Sequence, residues 1–123
     1  MIYFDSAATT FQKPASVAAA MWEALASMSS PGRGGYPAAA RAADTAFQCR
    51  SELAEMFGLK NPEQVIFTLN ATHALNIAIK SLVPPSGRAV VSGYEHNAVT
   101  RPLEALRASI SVASAPLFEA EAV

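Results

Sequence analysis

Residues 65–76 constrain this chain more than any other stretch, because an apolar run breaks there into small polar residues and then resumes at helical spacing. Val65, Ile66 and Phe67 are β-branched or aromatic, and so short a continuous apolar run suits a strand covered on both faces. Leu75, Ala78, Ile79 and Leu82 follow at i, i+3, i+4 and i+7, which gives a helix one apolar stripe to lay against that strand. The turn between them holds Asn70, Ala71, Thr72 and His73, and it would aim unpaired backbone N–H groups and the positive end of the helix dipole beyond the strand end. That arrangement suits an anion. Taken alone, the same turn reads first as ordinary N-capping by Asn70, which most helices need.

The rest of the chain supplies partners for this unit. Pro14 stands where a first helical position belongs, and Val17, Met21, Leu25 and Met28 recur every three or four residues, so 14–28 is expected to be an amphipathic helix. The Gly- and Pro-rich segment 29–37 is the clearest loop. From 38 to 57 an alanine-rich helical pattern places Ala39, Ala43, Ala46, Leu53 and Phe57 on one side, with Gly58 as the residue that ends it. Residues 84–87 read as a turn, 89–92 as a second strand, 93–97 as a loop, and 110–113 as a third strand. Pro102 is expected to start or kink the intervening helix, whose apolar positions are Leu103 and Leu106. Strands alternating with helices predict an α/β fold with a mainly parallel sheet, and its ligand would gather at the carboxyl ends of the strands, where the 70–73 and 93–97 loops lie.

Composition removes several classes of function. The 123 residues are 51% hydrophobic, enough for a globular domain with its own core. A net charge of −1 with no run of like charge offers no field for nucleic acid. The chain reaches Asp5 at once and has no apolar stretch long enough to span a bilayer, so neither a signal peptide nor a membrane anchor is expected. Cys49 is the only cysteine, which excludes an internal disulfide and fits a reducing, cytoplasmic setting. Two histidines and one cysteine at these spacings make no metal ligand set.

Four motifs in order carry a resemblance. They are 3–10 (Tyr3, Phe4, Asp5, Ser6, Ala7, Ala8, Thr9, Thr10), 31–35 (Pro31, Gly32, Arg33, Gly34, Gly35), Phe67 and Thr68 with Asn70, Ala71, Thr72 and Ala74, Leu75, Asn76, and Glu95, His96, Asn97 with Arg101, Pro102, Leu103. Together the sequence resembles the amino-terminal portion of the cysteine desulfurases and their class V relatives, fold-type-I enzymes that use pyridoxal phosphate. The resemblance implies part of a three-layer large domain, incomplete here, with an arm and first helix over 1–30 and the start of the large domain over 31–123. It implies removal of sulfur from an amino acid, L-cysteine going to L-alanine and an enzyme persulfide. It also leaves open a non-catalytic truncated or split-enzyme module, or a class V aminotransferase or lyase that does not act on sulfur.

The resemblance assigns roles by position. Ala71, Thr72 and His73 match the turn that holds the cofactor phosphate. His96 matches the histidine that stacks on the pyridine ring and takes part in proton transfer. Ala8, Arg33 and Tyr36 match segments on the substrate side, the last two in a loop near a dimer interface. His73 stands where relatives commonly carry Glu, which would have closed a capping box with Asn70. A histidine there is expected to leave more positive potential beside the phosphate. Tyr36 replaces a histidine of some relatives.

The Schiff-base lysine, the acid that pairs with the pyridine nitrogen and the sulfur-accepting cysteine all lie downstream of this region in the family. Lys13, Lys60 and Lys80 match none of the lysine's surroundings, and Cys49 reads as an inert, buried thiol in mid-helix. The chain alone is expected not to turn over. In the family's sheet the 65–67 strand lies at one edge and the other two at the opposite end, so the missing strands would leave open edges. A homodimer, a complementary carboxyl-terminal chain or a repacked sheet is therefore expected.

Overall fold

A computed structural model describes residues 2–114. Its contacts divide the chain into two compact units, with the boundary between Ile66 and Phe67. In the first unit, α1 (Ala15–Ser27) begins one residue later than expected, because Pro14 serves as its N-cap in extended conformation. None of its residues is buried: Met21 is 61% and Leu25 80% exposed, so its apolar spacing outlines a face turned to solvent.

The second helix, α2 (Pro37–Met56), starts on a proline whose fixed φ suits the first helical position. Ala39 and Ala54 are buried on it, and Ala43, Ala46 and Leu53 are half-buried on the same side. Phe57 departs from the expected stripe and is 67% exposed, because it lies just past the helix end as the C-cap. Gly58 ends the helix as expected. Its φ of +65° lets its own N–H reach the Glu55 carbonyl (3.1 Å) while the Leu59 N–H reaches that of Ala54 (2.8 Å). Cys49 corrects the sequence reading: it lies in mid-helix but is exposed, being at the margin of the buried stripe rather than within it. A 3-10 turn over Pro62–Gln64 follows, packed on α2, with Gln64 Oε1 accepting from the Lys60 and Asn61 N–H groups.

Residues 65–68 are the main correction to the expected fold. Val65 is extended (φ −95°, ψ 119°), but these residues form no strand. A strand is defined by its place in a sheet, and the sheet among the described residues is made of two other segments. Ile66 is 74% and Leu69 89% exposed as a result.

The second unit contains α3 (Ala71–Leu82), β1 (Arg88–Ser92), α4 (Asn97–Ala105) and β2 (Ser109–Ala113). β1 and β2 pair in parallel, Arg88 opposite Ser109 through Ser92 opposite Ala113. Two parallel neighbours need a crossover, and α4 supplies it, so the expected βαβ unit is present in a sheet of two strands. α4 begins well before Pro102, which lies inside it and is buried with Ala98 and Leu103. The start is earlier than the proline suggested because His96 caps the helix with its side chain. α3 packs against α4, which leaves its expected apolar stripe partly covered: Leu75 and Ile79 are half-buried, whereas Leu82 is 81% exposed.

The turns before β1 and β2 are tied together. Pro85 and Ser86 form the first, closed by Gly87 N–H to the Pro84 carbonyl (2.9 Å) with Ser86 at φ +59°. Ser86 N–H donates to the Leu106 carbonyl (2.8 Å) and Ser109 N–H to that of Gly87 (2.7 Å). Arg107 occupies the position at the end of α4 that Gly58 occupies at the end of α2, with φ +53° and the same pair of closing hydrogen bonds. A side chain in that left-handed region costs about 1 kcal/mol relative to glycine. Arg107→Gly should therefore stabilise the chain by roughly 0.5–1 kcal/mol, read as a raised midpoint in thermal unfolding; an unchanged or lowered midpoint would count against this strain.

Candidate functional site

The start of α3 is built by side chains standing in for missing backbone partners. Asn70 Oδ1 accepts from the His73 N–H (2.9 Å), so Asn70 is the N-cap expected from the sequence. Thr68 Oγ1 donates to the Asn70 carbonyl (3.0 Å) and steadies the approach. His73 Nδ1 accepts from the Leu69 N–H (3.4 Å), one residue before the cap, rather than from the Asn70 N–H that a capping box uses. The Ala71 and Thr72 N–H groups and the Thr72 hydroxyl donate to no described residue, and the first turn holds no acid. Those three donors are what an anion would meet.

A second helix start lies in the same unit. At the carboxyl end of β1, Glu95 Oε1 accepts from Ser92 Oγ (2.8 Å) and the Ser92 N–H (3.3 Å), while Ser92 Oγ accepts from the Tyr94 N–H (3.2 Å). This knot turns the chain into α4. His96 Nδ1 then accepts from the Ala98 N–H (3.1 Å), so the neutral ring carries its proton on Nε2.

Thr72, Asn76 and Lys80 are spaced at i, i+4 and i+8 on one face of α3, and Asn97, Ala98, Arg101, Pro102 and Ala105 share one face of α4. With His96 they line an open groove of about 520 Å³ between the two helices. The structure thus brings together two expected site residues, Thr72 and His96. Ala71 and His73 are exposed at the start of α3 and do not line the groove. Asn76, Asn97 and Arg101 stood in the motifs without a site role and Lys80 was passed over; the i, i+4 spacing from Thr72 was a signal for Asn76 and Lys80.

Ala8, Arg33 and Tyr36 all belong to the first unit. Ala8 sits in a turn in which its N–H donates to the Asp5 carbonyl (3.1 Å), and the Tyr3 hydroxyl closes the arm on the Thr9 carbonyl (2.6 Å). Arg33 is exposed in the glycine loop. Tyr36 is the N-cap residue of α2, and its hydroxyl accepts from Ser29 Oγ (2.8 Å). Its ring lies so close over Gly34 that a Cβ there would come within 2.5 Å of it, which explains why the loop has glycine at that position. Among the described residues no group of three His, Cys, Asp or Glu side chains could hold a metal ion, and no helix is long and apolar enough to cross a membrane.

Comparison with known families decides the affiliation. Residues 2–119 match the aminotransferase class-V family profile. The chain belongs to the class-V aminotransferase family. No curated protein matched it. Class-V aminotransferases generally depend on pyridoxal phosphate, and the small parallel sheet with flanking helices is compatible with part of that family's fold. The free amides and hydroxyl at the start of α3, with no acid in its first turn, fit the phosphate of such a cofactor.

Replacing the cap tests how this site is held. Asn70→Ala should destabilise the second unit by about 1 kcal/mol and reduce helicity by circular dichroism. A variant with unchanged helicity and melting would show that the cap contributes little.

Proposed function

We propose that this chain is the amino-terminal part of a pyridoxal-phosphate-dependent enzyme of the cysteine desulfurase type, which takes L-cysteine to L-alanine and leaves the sulfur as an enzyme persulfide. The observation that carries the reading is the meeting of Thr72 and His96 in one groove of a class-V aminotransferase chain. When bound, the cofactor supplies an electron sink for the bond broken at the substrate's α-carbon. The residues of this chain bind and orient. The Ala71 and Thr72 amides and the Thr72 hydroxyl would hold the phosphate, in the positive field at the start of α3. His96 would lay its ring against the pyridine, with Nε2 the nitrogen available to carry a proton because Nδ1 is committed to the helix cap.

No lysine, acid or cysteine here matches the three remaining groups, so turnover is proposed to need them from a further segment or a complementary chain. Ala8, Arg33 and Tyr36 are proposed to complete the substrate side. Tyr36, where some relatives have histidine, leaves room for a class V aminotransferase or lyase that does not handle sulfur. Assay of alanine and sulfide from L-cysteine separates the two.

Pyridoxal phosphate should bind the chain saturably, followed by its own absorbance. Thr72→Val should weaken binding about tenfold, the value of one hydrogen bond to a charged group. His73→Glu should also weaken it, since a carboxylate in the first turn opposes the phosphate. Equal affinity in both variants would overturn the assignment of this turn.

A second reading, a non-catalytic or split-enzyme module, is favoured by a separate observation. Each of β1 and β2 has one edge with no strand partner among the described residues, and Trp22 is 75% exposed beside Leu25. Open edges and apolar patches of this kind recruit partners. The chain should therefore sediment as a homodimer or larger species, or bind a complementary carboxyl-terminal chain; a monodisperse monomer that retains the β1/β2 pairing and binds neither would sink this reading.

A further inference from the structure

α1 buries none of its residues. At its carboxyl end Ala24 and Ser27 are half-buried, the Arg41 side chain donates to the Ser27 carbonyl (2.9 Å), and the Ser29 N–H just beyond donates to that of Ala38 (3.3 Å), which fastens this end to the start of α2. The rest of the helix is exposed. Val17, Met21, Trp22 and Leu25 fall at i, i+4, i+5 and i+8 and are 40% to 80% exposed, so one side of α1 is apolar along its length. Glu23, its one charged residue, is two positions from Met21 and from Leu25 and therefore lies on the opposite side. Trp22, Leu25 and Ala26 line a notch of about 250 Å³ at the apolar side, two large side chains beside a small one, the shape that takes a knob from a facing helix. A helix of 13 residues has little stability of its own and gains most of it by covering such a face.

We infer that this face docks on the same face of a second copy of the chain, helix against helix, to make a weak dimer. The inference rests on the reading of the chain as an associating module, and it names the surface used. Apart from the Trp22 N–H at the edge of its ring, the face has no hydrogen-bonding side chain and no charge with which to select a polar partner. Its occupant must itself be apolar, of helical length and uncharged at its centre, and α1 meets each condition. In a two-fold contact, residue i meeting j is matched by j meeting i. With the axis between Trp22 and Leu25 of antiparallel helices, Leu25 of each copy enters the notch beside Trp22 of the other, while Glu23 stays in water on both outer sides. Covering these four side chains on two copies removes roughly 1,000 Å² from water, at the lower bound for a specific interface and within the range of transient ones. The dimer is therefore expected to dissociate on dilution.

Sedimentation of the full chain across concentration tests it, with emission from Trp22, the chain's one tryptophan, as a second readout. The mass is expected to double on concentration while the emission moves to the blue in step, because the indole leaves water. Leu25→Glu places an unpaired carboxylate in the contact, and should raise the dissociation constant at least tenfold and hold the emission at its dilute value. Glu23→Gln, off the face, should change neither. Since no residue of α1 is buried in the monomer, both variants should keep the circular dichroism and melting of the dilute wild type. A dimer that persists in Leu25→Glu, or one that forms without a shift in Trp22 emission, overturns the α1 contact and leaves association through the strand edges standing. A wild-type chain that is monomeric at every concentration overturns self-association of either kind. Emission that shifts in such a monomer only with phosphatidylcholine vesicles, or only with a complementary carboxyl-terminal chain, gives the face to that occupant and overturns self-pairing.

Discussion

The parallel pairing of β1 with β2 is the constraint from which the second unit is built. Two parallel strands cannot be joined by a tight turn, so the chain must leave the end of one and return to the start of the other. α4 makes that return, and its buried side, Ala98, Pro102 and Leu103, is fastened by the crossover. The hydrogen bonds from Ser86 to Leu106 and from Ser109 to Gly87 tie the two strand starts to each other, so α4 has little freedom to swing. Because α4 starts beyond the carboxyl end of β1, His96 stands where ligands of parallel sheets collect. Because α3 packs on α4, a groove forms that neither helix would have alone.

The helix ends show how different chemistries meet the same demand. Each helix leaves backbone groups without internal partners, and several ends here are completed by different means, while the starts of α1 and α2 have no side-chain cap. Asn70 and His96 use side-chain acceptors, Gln64 reaches back over the 3-10 turn, and Gly58 and Arg107 curl the chain through positive φ. The start of α3 is completed only in part. Asn70 and His73 serve the His73 and Leu69 amides, while those of Ala71 and Thr72 remain available. An incompletely capped helix beside an acid-free groove is a physical basis for anion recognition, and it accords with a family that generally uses a phosphate-bearing cofactor.

Apolar material is abundant, but little of it is enclosed. Among the described residues the buried hydrophobic ones are Ala39, Ala54, Ala98 and Leu103, while Phe4, Trp22, Leu69 and Leu82 are at least 75% exposed. Burial contributes in proportion to area removed from water, so a core of alanines and one leucine supplies far less stabilisation than this composition has to offer. The uncovered faces lie on α1, on 65–69 and at the end of α3. They are surfaces that the described packing leaves uncovered.

Local chemistry was legible wherever a residue acts on its own neighbours. The spans of α1 and α2, the stop at Gly58, the cap at Asn70 and both paired strands follow from spacing, φ preference and side-chain reach, all of which operate over a few residues. Thr72 and His96 were likewise visible as candidates, through motif resemblance. Properties that depend on distant chain were not legible. Val65, Ile66 and Phe67 have strand chemistry but form no strand, because a strand needs a place in a sheet and the sheet of the described residues is made of β1 and β2. Cys49 was expected buried and is exposed, because its position on the margin of the α2 stripe is decided by what packs there. Pro102 was expected to start or kink a helix and lies inside α4, because His96 caps that helix six residues earlier. The sequence by itself determined where the chain bends, caps and turns, since those energies are local. Only the tertiary structure decided that Lys80 and Arg101 share a groove with Thr72 and His96, because that depends on the packing of two helices far apart in the chain.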